Sequence, residues 1–494
     1  MSGTSKVSLS TLPVEVVYRI LDRLDIITIL CTARNVCQRL NKIISSYERY
    51  QVLTTVNLDN TPISNSETSL LADALKNNTA LKTLILSMNE IGDEGVKHLA
   101  NALRNNTALT KLYLASNKIG EVGAEYLADM LQHNTGLVTL HLSCNQIKDN
   151  GIKHLADALR VNKTLMHLDL NGNKIGKHGA KSLADALQCN EKLTTLDLQK
   201  NYIGCEGAQH LANALLNNTT LVELNINNNH VGYHGAQYFA GVLLHSPTLR
   251  ILHIGNNEIR FDGLTALADM LRINKTLHTL DIGGNQISDK ERQYLDAEEA
   301  RRLDDEQARR LNDEQARRLE DEQARYMGSV KTQYLIMPRA PRLYNAEARY
   351  TAGEKTQYLI MARAPHLDNA QARYTAGEKT RDPNDEAVRY LADALQENST
   401  LTTLFIPNNH IGRVGARHLA DLLKKNRALR ILHLQGNIIS REGVRDLINA
   451  LKNNNTLIEL ELEFREVTDK MPIDLDELLE RNKRLANINT DNRE

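Results

Sequence analysis

The sequence predicts an α/β solenoid: a horseshoe with parallel strands on its concave side and helices on its convex side, preceded by a small three-helix domain. Three observations carry that prediction. A 28-residue phrase, LKTLILSMNEIGDEGVKHLANALRNNTA from Leu81, restarts at Leu109, Leu137, Leu165, Leu193, Leu221, Leu249 and Leu277. It resumes in the same period at Leu401, Leu429 and Leu457, and a degenerate first copy begins at Leu53. Inside each copy the apolar period changes from two to that of a helix. Ahead of the first copy, residues 8–50 ignore the period. Units that repeat in this way bury their apolar side only against their neighbours, so they stack in one direction.

Within the phrase, Leu84 and Leu86 alternate and point to one side of a short strand, with Thr83, Ile85 and Ser87 on the other. Asn89 turns the chain, where its side chain can bond backbone groups that no ladder satisfies. Gly92 and Gly95 open a segment in which Val96, Leu99, Ala100 and Leu103 recur at helical spacing. In the N-terminal segment, Pro13 suits a first helical residue, and Val16, Val17, Ile20, Leu21 and Leu24 follow on one face. Further helices are expected over Ile27–Ala33 and from Val36 to Ser46. Three helices in some forty residues bury little alone and must lean on the first repeat or on another protein.

Leu12-Pro13-x-Glu15, Ile20-Leu21, Leu24-Asp25, Ile29 and Val36-Cys37-x-Arg39-Leu40 resemble an F-box, with Leu40 where many members have Trp. The resemblance implies docking to the adaptor of a cullin-RING ubiquitin ligase, with Leu12, Pro13, Ile20, Leu21, Leu24 and Val36 as apolar contacts. The alternative is a helical cap that shields the first repeat. The phrase itself, with Leu-x-x-Leu-x-Leu-x-x-Asn inside it, is similar to leucine-rich repeats of the ribonuclease-inhibitor type, which also resemble the repeats of NOD-like receptors. Members of that type bind proteins on the concave strand face. The domains expected are an F-box-like unit at 8–50, repeats at 53–288, an insert at 289–384, and a second run with a C-terminal cap at 385–483.

The insert begins with four octapeptides from Leu295 and continues with two 24-residue copies, 331–354 and 355–378. In the octapeptides Asp305 and Arg309, and Glu306 and Arg310, stand four apart with the acid first, which favours a solvated helix. A period of eight drifts about 80° per repeat, so its leucines form no lasting stripe. Leu277 and Leu401 are 124 residues apart, one 28-residue period plus 96. Removing 96 residues after Ser288 restores the phrase, so the expectation is one solenoid with an excursion from the helical half of a repeat.

Charge is balanced, 60 Lys+Arg against 61 Asp+Glu, which implies neither a nucleic-acid partner nor a membrane partner. The five cysteines lack metal or disulfide spacing, and the N-terminus lacks a secretory signal, so a cytoplasmic or nuclear protein is expected. The Asn-x-Thr sequons, such as Asn162 and Asn274, fall on the helix-to-strand turn and read as structural. Gly353-Glu354-Lys355-Thr356 lacks the glycines and the Gly-Lys-Ser/Thr ending of a phosphate loop, which excludes the nucleotide-binding part of a NOD-like receptor. His230 and His234 flank a turn and do not share a helical face, so no metal is assigned, and no cofactor is expected.

Stepping by 28 along the concave side gives a polar column with aromatic ends. It comprises Tyr113, His141, Asp169, Asp197, Asn225, His253, Asp281, Phe405, His433 and Glu461. Asp169 and Asp197 fall side by side, but on an open sheet water is expected to hold both ionised, which argues against catalysis. The column reads as a protein-binding face or as a solvated face with no single partner. Together these features point to a non-enzymatic recognition subunit of a ubiquitin ligase that presents a client protein. The alternative is a binding scaffold unrelated to ubiquitin. A third reading is an activator of a Ran-type GTPase, although the chain ends NINTDNRE and not in the acidic tail usual there.

Overall fold

The computed structural model describes residues 54–285, 383–463 and 473–491, all within one compact unit, Met1–Asp289 with Asp382–Glu494. Among the described residues, twelve three-residue strands alternate with helices. The strands are β1 Thr55–Asn57, β2 Thr83–Ile85, β3 Lys111–Tyr113, β4 Thr139–His141, β5 His167–Asp169 and β6 Thr195–Asp197. They continue as β7 Glu223–Asn225, β8 Ile251–His253, β9 Thr279–Asp281, β10 Thr403–Phe405, β11 Ile431–His433 and β12 Glu459–Glu461. The helices are α1 Asn65–Leu75, α2 Asp93–Leu103, α3 Glu121–His133, α4 Lys148–Val161, α5 Lys177–Leu187 and α6 Gly204–Ala214. After them come α7 Gly232–Leu243, α8 Arg260–Ile273, α9 Pro383–Glu397, α10 Arg413–Lys425, α11 Arg441–Leu451 and α12 Ile473–Asp491.

The strands form one parallel sheet in sequence order, β1 to β12, each pair in register at the 28-residue step. This is the open α/β solenoid that the period predicts. From β2 to β11 the central leucine of each strand and the leucine or isoleucine two residues after it are buried, as Leu84 and Leu86 show. From the helices, Leu99, Leu127, Leu155, Leu183 and Leu211 meet them in a continuous core.

The sheet does not break at the insert. β9 pairs directly with β10, with Thr279 opposite Thr403 and Asp281 opposite Phe405. The amide of Ile282 donates to the carbonyl of Phe405 at 2.9 Å. On the helical side the Phe261 and Tyr390 rings meet edge to face at 6.0 Å. Residues 124 apart here do what residues 28 apart do elsewhere.

Two asparagine ladders hold the repeats together. In the first, the Asn257 amide donates to Ile226 O, 31 residues back, while its oxygen accepts from Asn229 N and Val231 N. In the second, Asn162 donates to Leu131 O at the end of the preceding helix and accepts from Leu165 N. These second-ladder asparagines include the sequon residues Asn162, Asn274 and Asn454, each 3% exposed or less with its amide turned inward, so a glycan has nothing to attach to. The ladder lacks one rung at Ser246, whose buried hydroxyl has no hydrogen-bond partner. Ser246→Asn is therefore expected to raise stability by about 1 kcal/mol, read as a higher urea midpoint at unchanged slope.

The helix starts follow a rule set one repeat earlier. Where the preceding helix begins with Asn65, Asp93 or Asp149, that side chain accepts the amide of Gly92, Gly120 or Gly176 at 2.7–2.8 Å. The three glycines are then extended N-caps. Where Glu121, Lys177, Cys205 or Tyr233 stands instead, the corresponding residues Lys148, Gly204, Gly232 and Arg260 take positive φ. Their amides bond backbone carbonyls of the next turn, as Gly232 N does with Asn257 O at 2.8 Å. Only a short acidic or amide side chain reaches across the gap, so the choice of cap at these helices is made 27 residues upstream. α11 departs from this, since Arg413 stands 27 residues before Ser440, which is extended and accepts the Gly443 amide on its own hydroxyl.

At the C-terminal end, α12 closes the ladder. Asn482 donates to Asn454 O and Leu457 O, and Arg481 donates to Leu451 O, Lys452 O and Asn454 O at the end of α11. A guanidinium over those carbonyls is the favourable charge at a helix C-terminus. No described helix is long and apolar enough to cross a membrane.

Candidate protein-binding face

The third residue of each strand points away from the core, and the register lines these residues into one column on consecutive strands. Tyr113, His141, Asp169, Asp197, Asn225, His253 and Asp281 lie opposite one another in that order. Phe405, His433 and Glu461 continue it. All ten are on described strands. The predicted adaptor contacts, Leu12, Pro13, Ile20, Leu21, Leu24 and Val36, lie outside the described residues.

The column is a connected polar surface. Tyr113 stacks on His141, ring centroids 4.4 Å apart, and His141 Nδ1 is 3.1 Å from Asp169 Oδ2. The pattern recurs at the other end, where Phe405 meets His433 edge to face at 4.7 Å and His433 Nδ1 is 3.4 Å from Glu461. Between them, Asn225 donates to Asp197 at 3.0 Å, and His253 Nδ1 is 3.5 Å from Asp281. Each histidine is thus oriented by the carboxylate one repeat further on.

Several contributing residues lie outside the 28-step column. Asn227 skips a strand to donate to Asp281 at 2.8 Å, 54 residues away, and accepts the amide of Gly255. Asn171 donates to Gln199 at 3.2 Å. Glu223 and Glu459, the first residues of their strands, stand 3.9 Å from His253 Nε2 and 2.8 Å from His433 Nε2. These residues sit two positions before or after the column, on the same side of the strand by simple alternation, which is the signal that would have found them.

The acids do not behave as a uniform solvated row, which corrects the expectation that water alone sets the state of Asp169 and Asp197. Burial pushes the Asp197 carboxyl above the usual carboxylate range and the neighbouring Asp169 charge adds to this, against hydrogen bonds from Gln199 N and Asn225. Asp281 goes the other way. Burial opposes its charge, but His253, the Gly283 amide and Asn227 together hold its carboxyl below that range. Both carboxyls are desolvated, and their different partners then send two aspartates that look alike in sequence in opposite directions.

His433, Glu459 and Glu461 offer ligand atoms within 4.8 Å of one another, a donor set that a divalent metal can use. Both ring nitrogens of His433 already face a carboxylate, so an ion would have to displace one of these contacts. His230 and His234 go to different partners: His230 Nδ1 is 3.0 Å from Glu258, whereas the His234 ring lies 3.9 Å from that of Tyr233.

Comparison with protein families finds an F-box domain at residues 9–51. It also finds eight leucine-rich repeats between residues 77 and 290. No curated protein matches the chain. Among solved structures, leiomodin-1 actin-binding site 2 is 27% identical over 24% of this chain and 70% of its own, with a TM-score of 0.23. The tropomodulin C-terminal domain of Caenorhabditis elegans is 16% identical over 36% of this chain and 92% of its own, with a TM-score of 0.25. An internalin from Listeria monocytogenes is 16% identical over 93% of this chain and 100% of its own, with a TM-score of 0.38.

Proposed function

The chain is an F-box protein with leucine-rich repeats, and from that premise we propose that it is the substrate-recognition subunit of a cullin-RING ubiquitin ligase. The F-box docks the small adaptor through Leu12, Pro13, Ile20, Leu21, Leu24 and Val36, and the solenoid presents a client protein. One observation carries this reading: an F-box domain stands directly ahead of a repeat array, in a chain whose two modules both serve protein–protein recognition. The domain plan follows, with 8–50 for the adaptor, 53–288 and 385–483 as one client-binding solenoid, and 289–384 as an excursion from it.

The client face is the column from Tyr113 to Glu461, with its stacked Tyr113–His141 pair and its Phe405–His433 pair as aromatic anchors. Our reading is non-catalytic: the role of the chain is to bring two proteins together, and it needs no cofactor. A cytoplasmic or nuclear location agrees with Cys144, Cys189 and Cys205, which are free thiols.

Adaptor capture tests the proposal. Full-length chain is expected to retain a purified F-box-binding adaptor, and Leu12→Ala/Pro13→Ala to lower retention at least about tenfold, because two apolar adaptor contacts are lost. Repeat stability should not change. Equal retention by the double variant, or none by the unaltered chain, defeats the ligase reading.

A further inference from the structure

The charge on the sheet face is not that of the chain. Lys+Arg and Asp+Glu are balanced at 60 and 61 overall. The outward first and third residues of β4 to β12 nonetheless include Asp169, Asp197, Glu223, Asp281, Glu459 and Glu461, and not one lysine or arginine. Arg250 and Arg430 stand one residue ahead of β8 and β11, outside these positions. The acids are neutralised unevenly. Asp169 and Asp281 each face a histidine, whereas Asp197 makes no ion pair among the described residues and has only amide donors, Gln199 N and Asn225 Nδ2.

Asp169 and Asp197 occupy the same position on adjacent, in-register strands. Strand spacing puts such residues about 5 Å apart. The Asp169 charge adds to the rise in Asp197 proton affinity that burial causes, and among the described residues no cation bridges the pair, His141 facing Asp169 alone and Asn225 donating to Asp197. A planar guanidinium has the width and the paired donors to bridge two carboxylates at that spacing, whereas an ammonium is a point charge that satisfies one at a time. A phosphate-bearing ligand would be repelled by these carboxylates.

We propose that the client is a protein with an arginine-bearing basic segment, which lies across β5 to β9 and places one guanidinium between Asp169 and Asp197. Glu223 and Asp281 receive further basic side chains of the same segment, and the Tyr113–His141 pair packs against its end. Five strands span about 20 Å, the reach of six or so extended residues. The proposal rests on the recognition reading above and specifies the partner for that face.

The test uses full-length chain and three labelled peptides of about twelve residues, alternating serine with arginine, lysine or glutamate, followed by fluorescence anisotropy at about 0.15 M salt. The arginine peptide is expected to bind, the lysine peptide several-fold more weakly, and the glutamate peptide not at all. Asp169→Asn/Asp197→Asn should weaken the arginine peptide at least about tenfold. Glu125→Gln/Asp157→Asn, which removes the same charge from the helical side, should not. The proposal falls if the arginine peptide does not bind, if lysine binds as well as arginine, or if the two double variants lose equally. Thermal melts establish that each variant is folded. If the double variant is not, the single Asp169→Asn carries the same expectation at a smaller loss. Adaptor retention separates the two readings. A chain that holds the adaptor but ignores the arginine peptide defeats this proposal alone, and a chain that binds the peptide but not the adaptor defeats the ligase reading alone.

Discussion

Asn257→Ala is expected to cost about 3–5 kcal/mol, more than any substitution on the outer face of the sheet. The residue has no exposed surface. Its amide nitrogen donates to Ile226 O at 2.8 Å and to Gly255 O at 3.0 Å, and its oxygen accepts from Asn229 N at 2.8 Å and Val231 N at 3.3 Å. Alanine leaves the buried amides of Asn229 and Val231 without partners, while Ile226 O and Gly255 O each lose one of two donors and keep Asn229 Nδ2 and Asn228 N. Each orphaned group costs about 1–3 kcal/mol, and relaxation of the turn recovers part of the sum. Because a solenoid is held by nearest-neighbour contacts, the loss should be local. Hydrogen exchange at Asn229 and Val231 should accelerate, while amides of β2 and β3 keep their protection. Asn150, whose exposed side chain reaches only Glu121, provides the contrast, with less than about 0.5 kcal/mol on replacement by alanine. A urea midpoint for Asn257→Ala close to that of Asn150→Ala would show that the ladder is not what joins the repeats.

The ladder was legible because its period is the period of the chain. Asn89 and its successors recur after each strand from β2 to β11, and backbone left unpaired by a three-residue strand has to be satisfied from somewhere. The sheet order follows from the same arithmetic: Leu277 and Leu401 differ by one period plus 96, and β9 meets β10 in the register that difference requires. The electrostatics of the column were not legible in this way. The equivalent positions of Asp169 and Asp197 do not foretell that burial raises the Asp197 carboxyl against the hydrogen bonds from Gln199 N and Asn225, or that His141 faces Asp169. Nor does a 28-residue step reveal Asn227 reaching Asp281, since that bond skips a strand. The helix caps were hidden for a similar reason. The conformation of Gly176 or Gly204 depends on whether Asp149 or Lys177 stands 27 residues earlier, a correlation between repeats and not a property of either one. Period fixes which residues are neighbours, and side-chain length then decides what the neighbours do.

Phe239→Ala should rival the loss of Asn257, at about 3–5 kcal/mol, whereas Phe239→Leu should cost only about 1 kcal/mol. Phe239 is fully buried and heads the largest side chains of the core. It occupies the helical position filled by Leu99, Leu127, Leu155, Leu183 and Leu211 in the repeats before it and by Leu267 in the repeat after it. That site is therefore shaped for leucine in its backbone geometry, and the larger ring fills volume that the neighbours of α7 provide. Alanine empties it, and the flanking helices α6 and α8 cannot close the gap without breaking the spacing at which α7 packs against both. Leucine returns the repeat to the arrangement of its neighbours. The consequence for the binding face is separable from global stability. α7 lies between β7 and β8 in the chain, so the strands first loosened are those that carry Asn225 and His253, whereas Phe405 and His433 lie two and three repeats beyond β8. Exchange protection should fall in β7 and β8 and persist in β11 in the alanine variant. Uniform loss across the sheet would instead mean that the solenoid unfolds as one cooperative block, so that neither the Asn257 nor the Phe239 defect stays local.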